Sequence, residues 1–445
     1  MHFRQVARLP LAVFGVITIV GACGGSNPSS SAPSSAAASA PLGSAASAAP
    51  TAAGEPVTLK YWVYEGQTDW VPIQTAAFQA SHPNIKLEVT QVPESDYGTK
   101  LTAAVVAGDP PDVGLADRPL FKAGKNVPLE DTLKAAGVDT ATWNQRVIDS
   151  CTLSGHLYCV GSYTGAVTLF YNTEMFDAKG VPYPSASVPM SVDEFSALAH
   201  QLTDKAAGVY GSTQGDPVTW LGRSEFFTPD GRSVAGKINT PKMAHTYDVV
   251  AQMIQDGTSP SLSVLDPWEQ GADWFSQKKV AMVITDFQSL VKMEKAGIKW
   301  GVAPQPVPVA GDPPEVQAWT DGLSVFTGSK HQAEALEFVK WEATDGQTLR
   351  TQKLGDFPLD SKAAVATNWA GDSPGKKDFL EVFKLSGPDI FVPNMWDKVY
   401  STLFDGFGAV VDKSVTAQGM LADAEPKVQH DLDQSWKAWD STKLK

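Results

Sequence analysis

From Val57 to Lys445 the chain alternates short β-rich runs with amphipathic helical patterns. That alternation restricts it to α/β architectures, in which helices cover the faces of a sheet. Val57-Thr-Leu-Lys-Tyr-Trp-Val-Tyr64 predicts a strand, Val71 to Ala80 an amphipathic helix, and Ile85 to Val92 a second strand of period two, with His82-Pro83-Asn84 turning the chain between them. Ser191-Val-Asp-Glu194 has capping-box spacing ahead of Phe195, Leu198, Ala199 and Leu202, and Ser329-Lys-His-Gln332 has it ahead of Leu336, Val339 and Trp341. Thr240-Pro241 sets a proline at the first position of a helix whose buried stripe is Met243, Tyr247, Val250 and Ile254 and which Gly257 ends. At 445 residues the chain is expected to hold more than one domain.

The N-terminal segment follows different rules. Arg4 and Arg8 precede an apolar run, Leu9 to Val20, that falls well short of the roughly 20 residues needed to span a bilayer, so residues 1–22 read as a signal peptide. Val20-Gly21-Ala22-Cys23 resembles the bacterial lipobox, in which the cysteine thiol accepts a diacylglyceryl group; on that resemblance Cys23 becomes the first residue of a lipoprotein. Two or more acyl chains make such an anchor stable where one would be marginal. Gly24 to Pro56 is almost entirely Ser, Ala, Pro and Gly, with Leu42 its only large apolar residue and Glu55 its only charge. It cannot bury enough apolar surface to offset its ordering entropy, so residues 23–56 are expected to form a lipidated cysteine and a disordered tether. The tether's r.m.s. span is on the order of 30 Å.

The 35 Lys and Arg against 49 Asp and Glu leave a formal charge of -14, and the loss of Arg4 and Arg8 with the leader makes it -16. Such a surface repels phosphate backbones, which excludes nucleic acid as a partner. Three cysteines are too few for a disulfide scaffold. Cys151 and Cys159 flank Ser154-Gly155 in a hairpin pattern, and in an exported protein two thiols this close are expected to pair. A three-residue loop would set them opposite each other, whereas a two-residue Ser154-Gly155 turn would set Cys159 across from Ser150. The seven histidines form no HExxH or HxH pair, so no metal or other cofactor is expected. There is no G-x-S-x-G, Gly371 to Lys377 misses the P-loop spacing, and Gly406-Phe-Gly408 lacks the third glycine of a dinucleotide fingerprint. Paired carboxylates for glycoside hydrolysis need no fixed spacing in sequence, which keeps a surface-anchored glycoside hydrolase as a remote alternative.

LKYWVY, FQASHPNIKLEV, AAVVAGDPPDV, HLYCVGSYTGAVTLFYNTEMF, WFSQKKVAMVITDF, WGVAPQPVP, WTDGLSVF, SKHQAEALEFVKW and LGDFPLDSKAA stand in this order along the body. Together they resemble the extracellular solute-binding proteins of ABC importers, particularly the carbohydrate group that includes the maltose-binding protein. The resemblance implies a two-lobe periplasmic-binding-protein-like fold that closes about a hinge on a central ligand cleft. It implies lobe I at 57–164 plus 301–343 and lobe II at 165–300 plus 344–445, with crossings near Gly165 to Thr168, Gly301 to Gln305 and Thr344 to Gln347. It also implies a monomeric, non-enzymatic receptor, held outside the cell membrane, that delivers its solute to the transmembrane permease subunits.

A sugar presents C–H groups on its ring faces and hydroxyls at its edge, so its cleft needs planar aromatics and polar acceptors. The resemblance assigns hydroxyl acceptors to Glu65, Gln67 and Asp69 beside Trp70, and sugar contact to the Asp117-Arg118 pair. In the other lobe it gives Asp216 and Asp286 acceptor roles and Trp220 and Phe287 stacking roles. Trp319 and Asp321 enter the cleft from the first lobe, and Trp396 is a late platform aromatic. Asp112 is expected to buttress a strand end. Trp62, Trp274, Trp300, Trp341, Trp436 and Trp439 are spaced as packing residues, while Trp268 and Tyr163 stay open. The acidic loops make an amino sugar or other cationic solute the main variant. Arg118, Arg223 and Arg350 are the few candidate clamps for a phosphorylated one.

Overall fold

The computed structural model describes residues 55–213, 216–262, 269–386, 390–393 and 396–442, with the backbone alone at 269–270 and 396–397. The signal-peptide and Cys23 expectations, and Trp268, lie outside the described residues. Among these residues the strands are β1 (Val57–Tyr64), β2 (Ile85–Val92), β3 (Val113–Leu115), β4 (Thr152–Leu153), β5 (His156–Leu157), β6 (Gly165–Asn172), β7 (Tyr210–Ser212), β8 (Val280–Asp286), β9 (Trp300–Ala303), β10 (Ala318–Trp319) and β11 (Leu323–Val325).

The first sheet has the order β11-β3-β1-β2. β1 pairs in parallel with β2 from Val57↔Ile85 to Tyr64↔Val92, and β11 runs antiparallel to β3. The helix Val71–Ser81 connects β1 to β2 and buries Val71, Gln74 and Phe78. Leu59, Tyr61 and Val63 point from β1 into the same core as Phe78, Phe338 and Trp341, with Phe338 4.7 Å from Phe78 and 5.1 Å from Tyr61, centroid to centroid.

In the second sheet β6 is central, with β8 on one edge and β9 and β10 in tandem on the other, all antiparallel to it, while β7 runs parallel to β8. All eight residues of β6 are buried because the sheet is covered on both faces. Val167, Leu169 and Tyr171 enter one core with Met243, Tyr247, Val250 and Ile254, and Ala166 and Phe170 enter the other with Phe287, Trp300 and Phe379. Two separately cored sheets make the fold a two-lobe α/β architecture.

Several local signals are seen as read. Ser191 and Glu194 exchange both capping-box bonds, and Thr240 caps Pro241–Gln255 through Met243 N. Ser329 does not cap its helix: Gln332–Trp341 starts later, behind His331, and the Ser329 oxygen accepts the His331 amide at 3.0 Å while its hydroxyl donates to Asp112 Oδ1 at 2.5 Å. Asp112 also accepts the Lys60 amide at 2.8 Å, which makes it the strand-end buttress. The β4–β5 hairpin uses the two-residue turn, with Ser154 at φ 52° and Gly155 at φ 83°. Cys151 and Cys159 still form a disulfide, Cα atoms 5.0 Å apart, because Cys151 is the last residue of the helix Gln145–Cys151 and stands outside the ladder.

The passages between the lobes fall elsewhere than expected. The first lies between Val160, bridged to Leu323 of the first sheet, and Gly165, which opens β6. The second lies between Trp319, paired with Gly165, and Leu323, instead of at Gly301–Gln305. β9 satisfies the open edge of β6, so the chain stays with the second sheet through Trp319. The third is not at Thr344–Gln347, where the helix Gln332–Trp341 continues through one π-helical turn, Glu342–Gly346, into Gln347–Leu354. It lies at Gly355–Asp360, where Phe357 packs with the second sheet and Leu359 with the first.

Candidate functional site

Strand ends and passages bring a set of polar side chains together. β1 runs out into the loop Glu65 to Trp70, which Gly66 turns at φ 92°. There the Gln67 amide donates to Asp321 Oδ2 at 3.1 Å, and the Tyr163 hydroxyl donates to the same oxygen at 2.8 Å. Asp321 thus joins the loop to the first and second passages. Arg350 joins the third: its Nε donates to Asp356 Oδ2 at 2.6 Å, and its NH1 lies 3.5 Å from the Ser162 hydroxyl. The guanidinium stands 4.0 Å from the centroid of Tyr163 and 5.3 Å from that of Trp70. Behind it the Tyr61 hydroxyl donates to Gln74 Oε1 at 3.0 Å, and Gln74 Nε2 donates to Glu342 Oε2 at 2.8 Å.

From the second lobe, Asp286 ends β8 and caps the following 3-10 turn through Gln288 N at 2.8 Å. Burial, then repulsion from Asp321 and Asp356, pushes its carboxyl up to about 7, against the Gln288 amide and Arg350. Burial also raises Asp321, against the Tyr163 hydroxyl, Arg350 and Gln67, and raises Glu342, against Ser162, Gln74 and Arg350. One guanidinium faces four carboxylates here. The arrangement offers hydrogen-bond acceptors beside flat rings at the meeting of two lobes.

The other expected site residues divide clearly. Glu65 and Asp69 are exposed on the loop and Trp70 is buried beneath it. Asp117 is half-buried, and burial pushes its carboxyl up to about 6. Arg118 is used differently: it donates to the carbonyls of Asp149 at 2.9 Å and Thr152 at 3.1 Å, holding the end of the cysteine hairpin. Trp319 is half-buried, its ring so close over Gly165 that a Cβ there would come within 2.6 Å of it. Arg223 donates to the Ile390 carbonyl at 3.2 Å.

Three expectations are corrected, because the second lobe's core takes the residues. Asp216 is fully buried, capping Val218 N at 2.8 Å and accepting from the Tyr247 hydroxyl at 3.0 Å, with burial raising its carboxyl to about 7. Trp220 is 1% exposed within the same core. Phe287 is 3% exposed and packs 3.6 Å from Phe379, centroid to centroid. None of the three presents a surface to a solute. Trp396 opens the helix Trp396–Val411, and its side chain lies outside the described residues.

Sequence reading missed Ser162, Glu342 and Asp356, and named Arg350 only as a phosphate clamp. The signal available was LGDFPLD, an acid between Gly and Phe-Pro, where regular structure breaks. A separate hollow of about 600 Å³ lies beside the third passage, lined by Trp143, Phe357, Leu359, Trp369 and Phe383 among others. Its charged lining residues, Glu381 and Lys384, pair with one another at 2.7 Å, and most of its wall is apolar or aromatic. Among the described residues no three His, Cys, Asp or Glu side chains gather to hold a metal ion, and no helix is long and apolar enough to cross a membrane.

Comparison with known proteins gives concordant matches. The family model described as bacterial extracellular solute-binding protein matches residues 62–348. A binding protein of Brucella abortus (strain 2308) is 26% identical over 378 residues, 79% of this chain and 87% of that one. The diacetylchitobiose binding protein DasA of Streptomyces coelicolor is 23% identical over 400 residues, 84% of this chain and 85% of that one. Among solved structures, the ABC substrate-binding protein Lmo0181 of Listeria monocytogenes in complex with cycloalternan superposes with a TM-score of 0.71 at 20% identity, covering 85% of this chain and 100% of that one.

Proposed function

Because the chain belongs to the bacterial extracellular solute-binding protein family, we propose that it captures a carbohydrate between its lobes and delivers it to the transmembrane permease of an ABC importer. The observation that carries this reading is the Gln67–Asp321–Tyr163 junction with Arg350 and Asp286 around it, where all three passages and the end of β8 converge. Asp321, Asp286 and Asp117 would accept sugar hydroxyls, with Glu65, Gln67 and Asp69 at the rim. Trp319 and Trp396 would meet the ring faces, while Trp70, buried beneath the loop, backs Arg350. A solute touching Asp286 on one lobe and Asp321 on the passage is bound better by the closed arrangement, so it shifts the lobes toward closure. No bond is made or broken. The diacetylchitobiose and cycloalternan named for the relatives support an oligosaccharide.

The excess of carboxylates over the single Arg350 guanidinium favours a second reading, an amino sugar or other cationic solute, whose ammonium would relieve the repulsion between Asp286 and Asp321. The Val20-Gly21-Ala22-Cys23 run supports a lipid anchor at Cys23, with the tether carrying the body clear of the membrane as a monomer.

Calorimetry against neutral mono-, di- and oligosaccharides, amino sugars and polyamines separates these readings. Stoichiometric binding of a neutral sugar without product supports the first, and preference for the cationic members supports the second. Release of product would replace both with a glycoside hydrolase.

A further inference from the structure

The short helix Arg118–Lys122 belongs to the first lobe, where Leu120 and Phe121 are buried in its core. Its two basic residues reach the second lobe. The Arg118 guanidinium lies 4.2 Å from the centroid of Phe391, and the Lys122 ammonium lies 4.5 Å from the Trp439 ring and donates to the Trp439 carbonyl. Phe391 and Trp439 pack 4.7 Å apart, centroid to centroid, on the core that covers one face of the second sheet.

These rings are held from behind. Trp436 meets Phe391 edge-on at 5.8 Å and donates its indole N–H to the Gly231 carbonyl at 2.7 Å. Arg232 covers the Trp436 ring at 3.9 Å and is fixed by two 3.0 Å bonds to Asp440. Gly231 has φ 67°, and a Cβ on it would come within 2.2 Å of the Phe391 carbonyl oxygen, so the backbone carrying Phe391 is pressed against it. The second lobe therefore presents two preset ring faces, and one helix of the first lobe sets a cation on each.

We propose that Arg118 and Lys122 are positioning residues that form an interlobe latch, setting solute affinity through cation–π contacts with Phe391 and Trp439 rather than by touching the solute. Partners on opposite lobes lose these contacts when the lobes part, so the contacts stabilise only the closed arrangement. A solute that binds the closed arrangement has an apparent affinity scaled by the fraction already closed, which the latch raises. The affinity arm rests on the proposed reading of the cleft as the solute site; the opening arm does not.

The test uses the full chain carrying Cys23→Ser, with a donor dye at Lys86→Cys on the first lobe and an acceptor at Lys295→Cys on the second. Lobe separation is read by single-molecule energy transfer without solute, and affinity by titration of the best sugar from the panel. Lys122→Ala and Trp439→Ala are expected to lengthen the mean separation, weaken binding on the order of tenfold mainly through faster release, and leave the melting midpoint of Lys122→Ala unchanged. Lys122→Arg should restore both readouts. Unchanged separation in both variants overturns the latch, and so does weaker binding accompanied only by a lower melting midpoint. If no panel member binds but the variants still open, the latch stands and the sugar reading fails.

Discussion

In the proposed site, Asp286 and Asp321 would decide what the cleft can hold. An ionised carboxylate accepts through both oxygens, and burial pushes the Asp286 carboxyl up to about 7, facing Asp321, Asp356, Arg350 and Tyr163. If Asp286 accepts from the solute, binding expels its proton. Affinity should then rise as pH climbs through about 7 and level off above it. Asp286→Asn should flatten that profile, and calorimetry in buffers of different ionisation enthalpy should detect a proton released by the wild type alone; affinity falling with rising pH would mean that Asp286 serves as a donor. Trp220 belongs to the opposite class. At 1% exposure it is core, so Trp220→Ala should cost about 3–5 kcal/mol in denaturant melts. The difference between two such residues was not legible in sequence. Asp216-Pro217-Val-Thr-Trp220 and Trp319-Thr-Asp321 each place an acid and an indole at the end of regular structure. Whether the ring faces a cleft or a core depends on what packs over it, here Val218 and Leu221 beside Trp220 in the second lobe.

Elements read well wherever local chemistry fixes them. β1, the helix after it and β2 follow from alternation and a Pro-Asn turn, and Ser191 and Glu194 close their capping box within four residues. Elements fixed by a distant partner did not read. β9 joins the second sheet because the edge of β6 is open to it, 128 residues away at Asn172↔Trp300. The third passage moved past Leu354 because a π-helical turn absorbs Glu342–Gly346 without breaking the helix. Beside the second passage, Glu315 accepts from both terminal nitrogens of Arg146 at 3.2 Å and from the Arg223 and Ser224 amides, tying the helix Gln145–Cys151 of the first lobe to the second. Arg146 is 3% exposed and Glu315 holds both its terminal nitrogens, so Glu315→Ala should cost about 1.5–3 kcal/mol by chemical denaturation. The pair Arg146→Met with Glu315→Leu should recover much of that loss; a cost below about 1 kcal/mol for Glu315→Ala alone would show the pair to be solvated instead.

At the scale of the whole molecule, two cored sheets are joined by three passages that meet at Arg350, and the lobes touch again where Arg118 and Lys122 reach Phe391 and Trp439. A solute that bridges the two lobes would add its hydrogen bonds to these contacts and so bias the domain movement toward closure. The two-lobe class was legible because nine ordered landmarks span the body, and the acidity that excluded nucleic acid proved to include carboxylates gathered around one guanidinium. The most direct test is a crystal structure with the tightest-binding sugar of the panel. The sugar should lie between the Glu65 to Trp70 loop and Asp286, within hydrogen-bond distance of Asp286 and Asp321 and against Trp319. A sugar seated in the hollow lined by Trp143, Phe357 and Trp369, or one that leaves Asp286 and Asp321 untouched, would contradict the proposed site.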